Sequence, residues 1–296
     1  MQYKKRNDDK VYIDAISENK IISCLYSKKY AKLLLNILVG NSLVSTIFGR
    51  IMDNKISKCF IRNFVLKNKI NIEESEKGID EFSCFNDFFI RNLKPNSRKI
   101  NKDEDVLVSP ADGKVLVYAR LHKSVNLSIK GSKYTLATLL HDDELALKYE
   151  DCSVAIIRLS PTDYHRFHFP SDGYVSDTKE ITGKYYSVTP VALKYKPDLY
   201  FENKRAICEI KNEKVQDFLF LEIGATMVGS IIQTHLPYSE IKKGDEKGYF
   251  KFGGSTVILI FQKDNILFDK ELLDNTDNNY ETAILMGESV GKIISK

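Results

Sequence analysis

Short apolar runs separated by turn-forming residues, from about Val106 to the end of the chain, constrain the fold more than any other feature. The runs are rich in Val, Ile, Leu and Phe, and Gly, Pro, Asp or Asn stands between them. This alternation is typical of an antiparallel β sandwich or barrel. The runs are VLVSP, KVLVYARL, SVAIIRLS, FLFLEIG, MVGSIIQTHL and STVILIFQ. We therefore expect a mainly antiparallel β body.

The first 70 residues differ in charge from the rest of the chain. They contain 14 Lys and Arg against 5 Asp and Glu, so the remaining residues carry a net charge of −5. Residues 33–48 form an uncharged stretch of 16 residues that Asn36, Gly40 and Asn41 interrupt. A membrane-spanning helix needs about 20 mainly apolar residues. The stretch is therefore too short and too polar to span a bilayer.

Residues 55–70 predict a basic amphipathic helix. Ile56, Phe60 and Phe64 recur at helical spacing, and basic side chains stand between them. The basic residues are Lys55, Lys58, Arg62, Lys67 and Lys69. Such a helix can lie in the interface of an anionic membrane, and it fits equally well a helix packed on the core with a solvated basic face. Nucleic-acid binding is less favoured, because the basic residues alternate with aliphatic ones and match no known reader module.

A short helix is predicted between Ser83 and Pro95. The sequence thus predicts an α+β fold with two parts. We expect residues 1–100 to form a helical region that leans towards membrane association, and residues 101–296 to form a mainly β body with a catalytic or binding role.

The cysteines predict reduced thiols rather than a zinc site. They are scattered, with no C-x-x-C pair and no His at metal-ligand spacing. They are Cys24, Cys59, Cys84, Cys152 and Cys208. The N-terminus has no apolar core of the kind found in signal peptides. We therefore expect the protein to reside inside the cell and to have no zinc site at its cysteines.

Three segments of the β body carry residue types suited to catalysis. Asp112 lies in SPADGKV, where a tight turn alone would account for it. His165 and His168 lie in LSPTDYHRFHFP; a metal would lack a third ligand there, so acid–base chemistry is favoured. Ser255 follows two glycines in KFGGSTVILIF. An Asp, a His and a Ser can form a nucleophile, base and orienter set, but no helix follows Ser255 as in the nucleophile elbow, which disfavours a conventional hydrolase.

Together these segments resemble phosphatidylserine decarboxylase, from about Phe82 to Lys292. Gly253 stands where that family often has Leu, and FENKRAI, with Asn203 and Arg205, stands where it typically shows Asn-Glu-Arg. The matching motifs are FNDFFIRNLKP, SPADGKV, IKG, LSPTDYHRFHFP, YYSVTP, EIGATMVGSI, KGYFKFGGST and MGESVGK.

The resemblance implies a proenzyme that cuts itself between Gly254 and Ser255. Ser255 would attack the carbonyl carbon of Gly254, while His168, oriented by Asp112, accepts the hydroxyl proton. Elimination would then convert Ser255 into a covalent pyruvoyl group and leave chains 1–254 and 255–296. The glycines before Ser255 leave room for the attack and allow unusual backbone geometry.

The activity implied is decarboxylation of phosphatidylserine to phosphatidylethanolamine through a Schiff base with the pyruvoyl group, which acts as the electron sink. His165 is assigned by resemblance to substrate binding and proton transfer. Because the substrate stays in a bilayer, the resemblance favours membrane docking through the basic apolar segment of residues 30–70, with Lys55, Lys58 and Arg62, at the cytoplasmic face of the cell membrane. The reaction implied requires no metal. The partners implied are this phospholipid and the two chains of one precursor, with a homodimer also compatible and no nucleic acid.

Three alternatives stay open at this stage. A serine hydrolase using Ser255, His168 and Asp112 on external esters predicts an intact chain that a fluorophosphonate labels. A non-catalytic, membrane-bound β scaffold predicts no cleavage at all. A pyruvoyl enzyme acting on another amino acid, or on its phospholipid ester, predicts cleavage with a different substrate.

Overall fold

The computed structural model describes residues 2–13, 42–120, 135–196, 198–214, 216–225, 230–251 and 253–294. The helices are α1 Ser42–Asp53, α2 Cys59–Asn68, α3 Phe85–Phe89, α4 Leu136–Leu140, α5 Asp143–Lys148, α6 Pro190–Tyr195, α7 Leu199–Glu202 and α8 Lys270–Asp277, with 3₁₀ turns at Lys55–Lys58, Ile72–Glu74 and Ile79–Glu81. The strands are β1 Gln2–Lys5, β2 Val11–Ile13, β3 Val106–Val108, β4 Gly113–Tyr118, β5 Ser153–Leu159, β6 Arg166–His168, β7 Gly173–Val175, β8 Lys179–Ile181, β9 Arg205–Lys211, β10 Phe218–Gly224, β11 Ile231–Gln233, β12 Ser239–Ile241, β13 Glu246–Phe250, β14 Ser255–Phe261, β15 Ile266–Phe268, β16 Glu281–Ile284 and β17 Ser289–Ile293.

One large sheet and two small sheets contain these strands. The large sheet has the order β12-β7-β9-β10-β14-β5-β4-β16-β1-β2, and β8 pairs with β9 beside this path. The small sheets have the orders β11-β13-β6 and β15-β17-β3. Within the described residues all pairings of named strands are antiparallel except that of β1 with β16. The prediction of an α+β chain with a mainly antiparallel sheet is confirmed.

The large sheet is buried on both faces at its centre. In β14, Val257 and Leu259 point to one face and Ile258 and Ile260 to the other, as the two-residue period of a strand requires. The first face packs against the two small sheets, and the second packs against α4 to α7. Because both faces are covered, the sequences of the central strands are continuous apolar runs and do not alternate between apolar and polar residues.

A third core holds the helices before residue 90 together. Ile61 and Val65 of α2 pack against Phe85, Phe88 and Phe89 of α3. None of the helices described is long and apolar enough to cross a membrane. Much of the apolar stretch at residues 33–48 lies outside the described residues, and so does the first part of the predicted docking segment, residues 30–41.

The predicted helical region of residues 1–100 is wrong for residues 2–13. They form the hairpin of β1 and β2, and β1 joins the large sheet beside β16. The rings of Tyr3 and Tyr12 face each other across the hairpin at 5.5 Å, a cross-strand aromatic pair of the kind that stabilises sheets. The start of α3 is also corrected by one residue, since its N-cap is Cys84 rather than Ser83.

Candidate active site

Ser255 is the first residue of β14 and lies at the centre of the large sheet. It is opposite Gly224 of β10 on one side and Leu159 of β5 on the other. Its side chain is fully buried, and its Oγ has no hydrogen-bond partner among the described residues. A buried hydroxyl without a partner is costly and rare, and such groups often mark a reactive position.

The two glycines before Ser255 differ in backbone conformation. Gly253 has a φ of +141°, a value that residues with a side chain rarely adopt. Gly254 has room for a small side chain, because an added Cβ would lie 3.4 Å from Cγ2 of Val188. The segment that contains Val188 therefore lies directly against the predicted scissile bond.

Asn203 holds in place the segment that contains Tyr186 and Val188. Its side chain accepts a hydrogen bond from the Tyr186 N–H at 2.9 Å, and it donates to the carbonyl oxygens of Tyr186 and Gly224, each at 2.8 Å. Gly224 is the residue opposite Ser255. The other residue compared with the family, Arg205, donates to four backbone carbonyl oxygens instead. Asn203 thus organises the backbone next to Ser255, whereas Arg205 ties α4 to α7 and to the backbone of Asn203.

His165 lies directly before β6 and is fully buried. Its Nδ1 is 2.9 Å from the carbonyl oxygen of Asp163, and because a carbonyl only accepts, Nδ1 carries the hydrogen and Nε2 the lone pair. Nε2 has no partner with hydrogen-bond geometry among the described residues. Burial lowers the pKa of His165 to about 4, although the backbones of Asp163 and Gly253 act in the opposite direction. His165 is therefore a neutral base with a free lone pair, close to Gly253.

His168 ends β6 and has both ring nitrogens occupied. Nδ1 donates to the carbonyl oxygen of Gly244 at 2.9 Å, and Nε2 is 3.2 Å from the hydroxyl of Tyr164. Burial is the main cause that lowers the pKa of His168. Its backbone N–H donates to the carbonyl oxygen of Pro110 at 2.7 Å, which fixes β6 against the loop that carries Asp112.

Asp112 is held by Arg98 and by a backbone amide. Arg98 contacts the carboxylate through Nε at 2.9 Å and through Nη2 at 2.5 Å, and the Met286 N–H donates to it at 2.9 Å. In the part of the chain that is described, no hydrogen bond joins Asp112 to His168 or either histidine to Ser255. The structure thus places the loop of Asp112 next to His168. The hydrogen bonds within the predicted triad of Asp112, His168 and Ser255 stay a prediction.

Sequence reasoning did not single out three of the neighbours that shape this site. Arg98 binds Asp112, Tyr164 binds His168, and the ring of Phe89 lies 3.9 Å from that of His165. Phe89 and Tyr164 belong to motifs quoted above, but their type alone suggests core packing. Within the described residues no three His, Cys, Asp or Glu side chains form a group that could ligate a metal.

The predicted docking residues lie on an exposed part of the helical region. Lys55 is exposed, Lys58 donates to the carbonyl oxygen of Asp80 at 2.7 Å, and Arg62 forms an ion pair with Asp80 at 3.1 Å. Four large apolar side chains close to them in the sequence are also exposed, and we call this set the apolar patch. It consists of Ile47, Ile51, Ile56 and Phe60.

Comparisons with known proteins agree on one family. The family model described as phosphatidylserine decarboxylase matches residues 85–292. A phosphatidylserine decarboxylase proenzyme of Fusobacterium nucleatum subsp. nucleatum is 44% identical over 98% of this chain and 97% of its own length. Proteins of the same name from Clostridium tetani and Ruminiclostridium cellulolyticum are 43% and 41% identical, over 99% and 100% of this chain and 98% and 99% of their own lengths.

Proposed function

Because the chain belongs to the phosphatidylserine decarboxylase family, we propose that it converts phosphatidylserine to phosphatidylethanolamine with a pyruvoyl group made from its own Ser255. The reaction follows from the family match and from the names of relatives that align over nearly the whole chain. Those relatives are named proenzymes, which fits a chain that must be cut to become active. The observation that carries the cut site is the buried, unpartnered hydroxyl of Ser255 directly after two glycines.

The cut begins when Ser255 Oγ attacks the carbonyl carbon of Gly254 and gives its proton to a histidine. The amide becomes an ester, and elimination then breaks the Cβ–Oγ bond of Ser255, with Gly254 leaving as a carboxylate. The dehydroalanine so formed is hydrolysed, ammonia leaves, and a pyruvoyl group remains. When present, this group supplies the electron sink for decarboxylation. The strands on both sides of Ser255 hold its backbone in place throughout.

The two histidines divide the proton transfers. We assign His168 with Asp112 to the cut, because His168 is fixed against the loop of Asp112 through Pro110. In the described state Nε2 of His168 receives a hydrogen bond from Tyr164, so this contact must open before Ser255 can use it. His165 serves the decarboxylation, because its free Nε2 lies in the buried site and carries the lone pair of a neutral imidazole.

Two histidine variants test this division. His168→Asn should leave the chain uncut. His165→Asn should permit the cut and lose release of CO2 from phosphatidylserine vesicles. The reverse pattern, with His165→Asn uncut and His168→Asn processed, would exchange the two assignments.

Intact mass under denaturing conditions tests the cut itself. Two chains are expected, the smaller starting at position 255 and lighter than the serine-starting peptide by one ammonia. Ser255→Ala is the control and should give one chain of 33.9 kDa. A single chain from the folded wild-type protein would sink the proposal, and its labelling by a fluorophosphonate would favour the serine hydrolase instead.

The docking of this enzyme on a membrane is part of the proposal. The apolar patch and the adjacent basic residues support it, because exposed isoleucine and phenylalanine side chains can insert between lipids while lysines stay near phosphates. We place the docked protein at the cytoplasmic face of the cell membrane.

Vesicle co-sedimentation tests the docking, with vesicles of phosphatidylserine and phosphatidylcholine. Ile56→Glu with Phe60→Glu should abolish binding, and charge reversal at Lys55, Lys58 and Arg62 should weaken it, more so at low salt. The matched control is Leu147→Glu with Leu267→Glu, two exposed leucines elsewhere on the molecule. Equal binding of the control and of both test variants would refute this docking surface.

A further inference from the structure

A fully buried ion pair links the two strands next to the predicted scissile bond. Lys247 of β13 and Glu222 of β10 have no exposed surface, and Nζ of Lys247 is 2.5 Å from Oε1 of Glu222. The same Nζ donates to Oε1 of Gln233 at 2.8 Å. Neither Lys247 nor Glu222 has a role in the reaction described above.

A β-bulge directs Lys247 into the core. Glu246 is opposite His168 and Gly248 is opposite Phe167, so Lys247 is the extra residue of its strand. Its ammonium lies 5.8 Å from the ring centroid of Phe167 and 5.0 Å from that of Phe220. Bulges commonly redirect a side chain next to an active site, and this one aims a cation at the large sheet.

Glu222 lies on the same face of the large sheet as Ser255. Glu222 is opposite Val257, and Gly224 is opposite Ser255, so the two-residue period places all four on one face. Glu222 and Ser255 are therefore diagonal neighbours on adjacent strands, at a Cα separation of about 7–8 Å.

The ion pair thus joins both sides of the bond that is to be cut. On one side β13 ends at Phe250 and the chain continues to Gly254. On the other side β10 is hydrogen bonded along the whole of β14, which begins at Ser255. The contact between Lys247 and Glu222 fixes one strand relative to the other.

Two buried charges are a costly way to hold strands together, because well-packed apolar side chains often do so equally well or better. A hydrogen-bonded ion pair differs from apolar packing in that it fixes a direction and a distance. The attack of Ser255 requires reacting atoms about 3–3.5 Å apart, and a misplacement of about 1 Å can slow such a step about 100-fold.

We propose that Glu222 and Lys247 are a positioning pair, which holds the Gly254 carbonyl in reach of Ser255 Oγ for self-cleavage. This inference rests on the proposed function. It assigns the pair no contact with the reacting atoms. Its effect is on the rate of the cut.

The test replaces both charges at once, with Glu222→Leu and Lys247→Met in one chain. Removing both avoids a lone buried charge, so the melting temperature should stay at or above that of the parent when both are measured in the Ser255→Ala background. The cut is followed as the fraction of processed chain over time after cell-free synthesis. We expect the double variant to be processed at least tenfold more slowly than the parent.

The control is Leu272→Ala, a core truncation in α8 that lowers stability without touching the pair. It should be processed at the parental rate. A double variant processed as fast as the parent would overturn the proposal and leave the pair a purely structural contact.

Should the double variant fail to fold, Glu222→Gln keeps the side-chain shape and removes one charge. Its processing rate is then compared with that of Leu272→Ala at equal loss of melting temperature, and tenfold slower processing is expected. Equal rates would again overturn the positioning role. A parent that is never cut would instead contradict the self-cleavage on which the inference rests.

Discussion

Gly253 holds a backbone conformation that other residues adopt only with strain, at φ +141°. In the uncut Ser255→Ala background, Gly253→Ala should lower the free energy of unfolding by about 1–3 kcal/mol. Gly254→Ala should cost less, because its Cβ would meet Val188 at an ordinary contact distance of 3.4 Å. Urea unfolding followed by circular dichroism measures both. Equal losses for the two variants would mean that the backbone conformation at position 253 does not strain a residue that has a side chain.

The buried imidazole of His165 should make stability depend on pH. Its pKa is about 4 in the folded chain and about 6.5 when unfolded, a difference worth about 3 kcal/mol. Because the folded pKa is the lower one, this stabilisation is complete above pH 6.5 and is lost as the pH falls towards 4. Unfolding free energies between pH 7 and 4.5 should fall less steeply for His165→Asn than for its parent, both in the Ser255→Ala background.

Part of that slope will remain in the variant, since burial also lowers the pKa of His168. Two superimposable pH profiles would show that His165 is not held neutral by burial.

The motifs assign residues to the site, and that assignment stays a prediction; they do not show which other side chains contact these residues. Ser255, His165 and Asp112 are all buried at the positions that the motifs indicate. The partners that hold them were not predictable, because Arg98 and Phe89 reach the site from the preceding helical region. A linear pattern does not show which of several arginines folds back onto one carboxylate.

Elements were predicted well where their apolar pattern is long and strong. The central strands β5, β10 and β14 correspond to the runs SVAIIRLS, FLFLEIG and STVILIFQ. The hairpin of β1 and β2 was missed because its strands are short and half exposed, and because β16, its partner in the sheet, lies near the other end of the chain. Such non-local pairing has no signature in the local sequence.

The turn of the same hairpin should help to hold the small chain, residues 255–296, after the cut. Arg6 donates to Asp269 and to the carbonyl oxygen of Ser289, each at 2.5 Å, and both lie within residues 255–296. In the processed protein, Arg6→Ala should release the small chain at a lower urea concentration than the parent, as seen by size exclusion. Lys10→Ala, an exposed position of the same hairpin, is the control. If Arg6→Ala, Lys10→Ala and the parent all release the small chain at the same urea concentration, the hairpin does not hold the small chain.

In the large sheet, strands of residues 255–296 lie between strands of residues 1–254. β14 lies between β10 and β5, and β16 lies between β4 and β1. Cutting the Gly254–Ser255 bond therefore removes a covalent link without removing any strand pairing. Both chains should stay together as one fold under native conditions.

Because the strands of the two chains are interleaved, we expect the cut to make the free energy of unfolding depend on protein concentration. The Ser255→Ala chain unfolds in one piece, so its urea midpoint should not depend on protein concentration. The processed protein separates into two chains, so each tenfold dilution should lower its apparent free energy of unfolding by about 1.4 kcal/mol. Urea titrations at several protein concentrations measure this. A urea midpoint of the processed protein that does not depend on concentration would mean that the small chain stays bound to the unfolded large chain. That result would contradict the expectation that only the native strand pairing holds the two chains together.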